Sequence, residues 1–161
     1  MILYKKGNLF DAPKGSILAH ACNCRGVWGS GIAKQFRDRF PASYIKYREY
    51  CDEHMVEGIL GTAVIFYEDG YYIACMFTSD GYGSEVDTEE LIIKHTDEAI
   101  FDVLAFRDIF EPGSLQLHMP KINSGKFGVP WEKTEIVVQN MAEQFNTDVV
   151  VWEPTAELKV L

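Results

Sequence analysis

Short apolar runs alternate with stretches in which apolar residues recur every three or four positions. Ile2 to Tyr4, Ser16 to His20, Thr62 to Tyr67, Tyr71 to Phe77, Leu115 to Met119 and Val149 to Trp152 read as strands. Several are apolar at consecutive positions, as strands covered on both faces are. Helices are expected between them. Ile32 to Phe40 and Ala42 to His54 are separated by Pro41, which can open the second helix but would break one long one. Asp87-Thr88-Glu89-Glu90 matches a capping pattern, and Leu91, Ile92, Ala99, Ile100, Val103 and Leu104 then recur on one face. Pro130 opens a last helix whose Val137, Val138, Met141 and Phe145 share a face. Strands alternating with helices predict an α/β fold, a three-layer α/β/α domain over residues 1–161 around a mixed, mostly parallel sheet.

Composition narrows the class. At 161 residues and 47% hydrophobic, the chain can bury one core and is too short for two ordinary domains. No apolar run approaches the roughly 20 residues of a membrane span. Met1-Ile2-Leu3-Tyr4-Lys5-Lys6 leads straight into a strand without a signal-peptide layout. A soluble, cytoplasmic protein with no membrane partner is expected. The net charge of −9 argues against nucleic acid as a partner, because non-specific binding needs a basic surface, so any phosphate must be held locally. Cys22, Cys24, Cys51 and Cys75 are not spaced as a disulfide framework, which favours reduced thiols.

Two glycine-bearing loops carry the candidate chemistry: Cys22-Asn23-Cys24-Arg25-Gly26-Val27-Trp28-Gly29-Ser30-Gly31-Ile32-Ala33, and Ile122-Asn123-Ser124-Gly125-Lys126-Phe127-Gly128-Val129-Pro130-Trp131. Each follows a strand-like run and enters a helical pattern, so backbone N–H groups and a helix N-terminus can converge on an anion. Two such loops suggest one ligand with several phosphates, bound at the carboxyl ends of the strands. Asp80-Gly81-Tyr82-Gly83-Ser84 is expected to reach the same rim.

Stock readings of these loops fail on spacing. Neither closes on Gly-Lys-Ser/Thr as a P-loop does. Gly26, Gly29 and Gly31 do not form the dinucleotide fingerprint. Six residues after Cys22 stands Trp28 and six after Cys24 stands Ser30, where a cysteine phosphatase would want arginine, so both cysteines read as packing residues. His20, Cys22 and Cys24 alternate on one strand and invite a metal, but no fourth ligand is evident and no metal is expected. No paired carboxylates offer a Mg²⁺ site near either loop. His20, placed at a strand end just before the first loop, is the candidate titrating group.

Taken in order, these segments resemble a macrodomain. Lys6-Gly7-Asn8-Leu9, His20-Ala21-Cys22-Asn23-Cys24, Cys75-Met76-Phe77-Thr78-Ser79 and Met119-Pro120-Lys121-Ile122-Asn123-Ser124-Gly125 are most similar to its yeast-type ADP-ribose-1″-phosphate phosphatase branch, and the resemblance covers almost the whole chain. It implies that Gly7, Asn8 and Leu9 lie at the adenine end and that Ala21, Cys22 and Asn23 approach the distal ribose. Trp28, Gly29, Ser30, Gly31, Ile32 and Ala33 would wrap the distal ribose and diphosphate. Ile122, Asn123, Ser124, Gly125, Lys126, Phe127 and Gly128 would complete the diphosphate site, with Phe127 against the distal sugar. The chain departs from the commoner family pattern at Asn8, which replaces an aspartate, at His20-Ala21-Cys22-Asn23, and at Ser30 within a glycine triplet. The first two departures recur in the yeast-type branch.

The implied activity is hydrolysis of ADP-ribose-1″-phosphate to ADP-ribose and phosphate without a cofactor. His20 is the expected acid or base, Asn23 an orienting group and Asp80 a second candidate for activating water. Two alternatives stand beside it: a non-catalytic module binding ADP-ribose or ADP-ribosylated protein, and an ADP-ribosyl hydrolase. A related branch uses a lysine nucleophile and an aspartate to remove ADP-ribose from glutamate. Here Thr78-Ser79-Asp80-Gly81 and Phe127 stand where those residues are wanted. A monomer is expected.

Overall fold

The computed structural model describes residues 1–110 and 115–155. Six strands form one sheet: β1 (Ile2–Lys6), β2 (Ile17–Asn23), β3 (Ala63–Glu68), β4 (Tyr71–Ser79), β5 (Leu117–Pro120) and β6 (Val149–Glu153), in the spatial order β1-β6-β5-β2-β4-β3. Every pairing is parallel except that of β3 with β4. The sheet is thus mixed and mostly parallel, as the pattern predicts. Among the described residues no helix is long and apolar enough to cross a membrane.

Alternation along the strands feeds two cores. Leu18, Cys22, Ile73, Cys75, Phe77, Val150 and Trp152 pack on one face with Phe36 of α1 (Gly31–Arg39) and Tyr47 of α2 (Pro41–Glu53). Ile17, Ala19, Ala74, Met76, Leu117, Met119, Val149 and Val151 pack on the other with Ile100, Val103 and Leu104 of α4 (Glu89–Phe110) and Val138 and Met141 of α5 (Trp131–Gln144). Covering both faces gives three layers and explains the consecutive apolar positions. A four-residue helix, α3 (Val56–Ile59), is too short to show a helical period in the sequence.

Boundaries depart from expectation where packing outlasts the apolar signal. Pro41 sits at the first turn of α2, where its missing N–H costs nothing. Thr88 caps α4, its Oγ1 accepting from the Leu91 N–H at 3.4 Å, while Asp87 turns away to accept from the Asp80 N–H. β2 does not stop at His20: Ala21 pairs with Met76 and Cys22 with Phe77, and a bulge then lets Asn23 pair with Ser79. His20 is therefore a mid-strand residue opposite Cys75.

Candidate functional site

With β1, β6, β5, β2 and β4 parallel, their carboxyl ends share one rim. From it spring the Gly7–Leu9 segment after β1, the first glycine loop after β2, the Asp80–Asp87 segment after β4 and the second glycine loop after β5. Since β5 and β2 are neighbours, the two glycine loops stand side by side.

Asn23 shapes the first loop. Its Nδ2 donates to the Val27 carbonyl at 2.8 Å, its Oδ1 accepts from the N–H groups of Arg25 and Val27, and the Tyr47 hydroxyl donates to its carbonyl at 2.5 Å and its Oδ1 at 3.1 Å. Both ends of the amide are engaged inside the protein, so Asn23 organises the loop. Trp28 also turns inward: fully buried, it stacks on Tyr47 with centroids 4.8 Å apart. Its side chain cannot wrap a ligand. The loop leaves exposed Arg25 and, at the start of α1, Gly29, Ser30 and Gly31, where the N-cap position has no side-chain capping bond. Among the described residues, the N–H groups of Trp28, Gly29 and Ser30 donate to no protein acceptor.

The second loop is anchored in the same way by Asn123, which adopts a positive φ of 65° that asparagine tolerates. Its Oδ1 accepts from the Thr78 hydroxyl at 2.9 Å, and its Nδ2 donates to Thr96 at 2.9 Å and Thr134 at 3.4 Å, tying β4, α4 and α5 together. Ile122 and Asn123 are buried, so their side chains support the loop and do not meet a ligand. Ser124, Gly125 and Lys126 are exposed, and the N–H groups of Gly125, Lys126 and Phe127 have no acceptor among the described residues. A Cβ on Gly125 would meet nothing within 4 Å.

At the β1 end, the Asn8 Oδ1 accepts from the Phe10 N–H at 2.9 Å, capping the single turn Leu9–Asp11, and Leu9 is buried. The Gly7 backbone lies close to the Trp152 ring, 3.3 Å from where a Cβ would stand. At the opposite end, Asp80 is held by Arg25 through Nε at 2.9 Å and Nη2 at 3.4 Å. The Asp80 N–H donates to Asp87, and its carbonyl accepts from the Cys24 N–H.

His20 is not at the rim. It has no exposed surface, its ring stacks on Phe36 with centroids 3.9 Å apart, and the Trp28 ring meets it edge-on at 4.8 Å. The expectation that it stands at a strand end just before the first loop is corrected: β2 continues past it and carries it into the α1/α2 core. Its nitrogens lie 3.5 and 3.7 Å from the Cys22 sulfur. Cys22, expected near the distal ribose, is buried with it. The metal-type cluster uses Cys75 in place of Cys24, with one ligand atom each from His20, Cys22 and Cys75 within 4.8 Å of one another. Burial, and then the Cys75 hydrogen bond, pushes the Cys22 thiol well above its ordinary value, so it stays protonated.

Several members of this architecture left little trace in the sequence: Tyr47 beneath the first loop, the three threonines around Asn123, Arg25 and Asp87. His118 is another. Buried on β5, it accepts from the Trp152 Nε1 at 3.0 Å, and burial, then the nearby Lys5 charge, lowers its pKa from 6.5 to about 4. Only its partners across the sheet reveal it.

A family model described as Macro domain matches residues 19–138. The ADP-ribose 1″-phosphate phosphatase of Candida albicans is 43% identical over 162 residues, spanning 93% of this chain and 100% of its own. The protein of that name from Meyerozyma guilliermondii is 38% identical over 170 residues, spanning 91% and 97%. Among solved structures, the macrodomain of Mycobacterium tuberculosis DarG superposes with a TM-score of 0.78 at 25% identity, covering 96% of this chain and 99% of that one.

Proposed function

The chain belongs to the macrodomain family, and from that premise we propose that it hydrolyses ADP-ribose-1″-phosphate to ADP-ribose and inorganic phosphate. The observation that carries this reading is the pair of adjacent loops, each offering three unpaired backbone N–H groups, in a chain alike along nearly its whole length to proteins bearing that activity's name. Fixed N–H donors hold phosphate oxygens without reorganising, which favours both binding and a charged transition state.

The ligand's base takes the Gly7–Leu9 end, where Asn8 is exposed and its Oδ1 is engaged by the Phe10 N–H. Its diphosphate lies between Gly29–Ala33 and Ser124–Gly128, with Phe127 against the distal sugar, which sits above β2. Water attacks the terminal phosphorus in line as its proton passes to a carboxylate at the rim, the bond from phosphorus to the 1″-oxygen breaks, and the departing oxygen takes a proton from solvent, giving ADP-ribose and phosphate. Of the groups expected to act, Asp80 alone stands at the rim with its carboxylate partly exposed, and its role is to orient the attacking water and accept its proton. Asn23 positions the loop.

The enclosure of His20 favours one second reading, a module that binds ADP-ribose without turnover. Phosphate release from ADP-ribose-1″-phosphate, measured beside calorimetric titration with ADP-ribose, separates the two. Release over many turnovers is expected, whereas tight ADP-ribose binding without release would establish the binding module.

A further inference from the structure

The strand order lays the ligand out along the rim. From β1 to β4 the edge crosses four strand intervals in the order β1-β6-β5-β2-β4, about 19 Å at ordinary spacing. A ligand with its base toward β1 and its diphosphate between β5 and β2 brings whatever its distal sugar carries to the β4 end. That end is acidic: Asp80, Glu85 and Asp87 all lie on the segment after β4, in a chain of net charge −9. A phosphate monoester arriving there meets three carboxylates unless a cation intervenes.

Arg25 is that cation. It belongs to the first loop but reaches across to Asp80, and its side chain remains 57% exposed. A guanidinium has five N–H donors in a rigid fork, and the two bonds to Asp80 leave others free. Asp80 is itself fixed on both sides, by Asp87 and by the Cys24 N–H, so the fork is held from a stationary base. Lys126, the exposed cation of the second loop, lies on the diphosphate side. We infer that Arg25, braced by Asp80, selects the terminal phosphate by donating its remaining N–H groups to the 1″-phosphate oxygens.

This rests on the phosphatase reading, and its test is independent of turnover. Parent, Arg25→Ala and Arg25→Lys are titrated calorimetrically with ADP-ribose and with a hydrolysis-resistant analogue in which a methylene replaces the 1″-oxygen of the phosphate ester. The parent is expected to bind the analogue more tightly than ADP-ribose. Arg25→Ala should lower analogue affinity on the order of 10- to 100-fold, as loss of charge-assisted bonds does, while ADP-ribose affinity stays within about 3-fold. Arg25→Lys, which keeps the charge without the fork, should fall between them, and it serves alone if the alanine variant does not fold. A parent without preference for the analogue, or variants that keep the parent's preference, would overturn the inference. Absence of phosphate release by the parent counts against the phosphatase reading alone.

Discussion

His20 lies between the Phe36 ring and the Trp28 edge, so truncating it opens a cavity in the core. His20→Ala is expected to lower stability by about 2–4 kcal/mol in urea unfolding, while turnover per folded molecule stays within a few fold. Asp80→Ala should do the reverse, lowering turnover by roughly 10²–10⁴-fold with little loss of stability. Comparable turnover in the two variants would return the proton chemistry to another group. His118 sets a pH dependence of a different kind. Its folded value of about 4 lies below the ordinary 6.5, so as pH falls the unfolded chain takes up the proton first. Stability is complete above about pH 6.5 and declines toward pH 4, by up to about 3 kcal/mol. His118→Gln keeps an acceptor for Trp152 without the titration, and should flatten that decline in denaturant midpoints measured across the interval. An equally steep decline in the variant would assign the effect elsewhere.

At the scale of elements, β2, β4, β5 and β6 were legible because burial on both faces leaves consecutive apolar residues, the edge strands β1 and β3 showed short apolar runs although they are exposed or half-buried, and Pro41 announced the break between α1 and α2. The end of β2 was not, because Ala21, Cys22 and Asn23 carry no strong strand signal and are held there by pairing with β4. That one misplaced boundary put His20 at the rim. The loops were recognisable from their glycines, but what holds them is non-local. Thr78, Thr96 and Thr134 come from three elements to one asparagine. Asn123→Ala leaves those hydroxyls without their partner and forces alanine into positive φ, so it should lower stability by about 2–3 kcal/mol and weaken ADP-ribose binding. Unchanged stability and affinity would mean that the second loop is held by its backbone alone. Gly125 offers the complementary test, because its backbone is not in the left-handed region and its Cβ site is open. Gly125→Val should fold as the parent does yet lose about 2–4 kcal/mol of ADP-ribose affinity by blocking approach to the loop N–H groups. Parent-like binding would remove this loop from the phosphate site.

For the molecule as a whole, composition set the terms: a chain of net charge −9 has no basic surface to hold phosphate, which leaves local backbone donors and single placed cations as the means expected. Sequence order could not give spatial order. The first loop follows the second strand and the second loop follows the fifth, yet pairing of β2 with β5 makes them neighbours on one edge of the sheet. The cysteine count likewise gave no hint that Cys75 would complete a cluster with His20 and Cys22. That cluster is buried in the core, and the rim's donors are N–H groups, so chemistry at the rim is expected to proceed without a metal. The deciding measurement is phosphate release from ADP-ribose-1″-phosphate by the purified chain after exhaustive chelation, with metal content determined on the same sample. Many turnovers yielding equal amounts of ADP-ribose and phosphate, at far less than one equivalent of zinc, are expected. ADP-ribose binding without phosphate release, or release that vanishes in chelator and returns with added zinc, would contradict it.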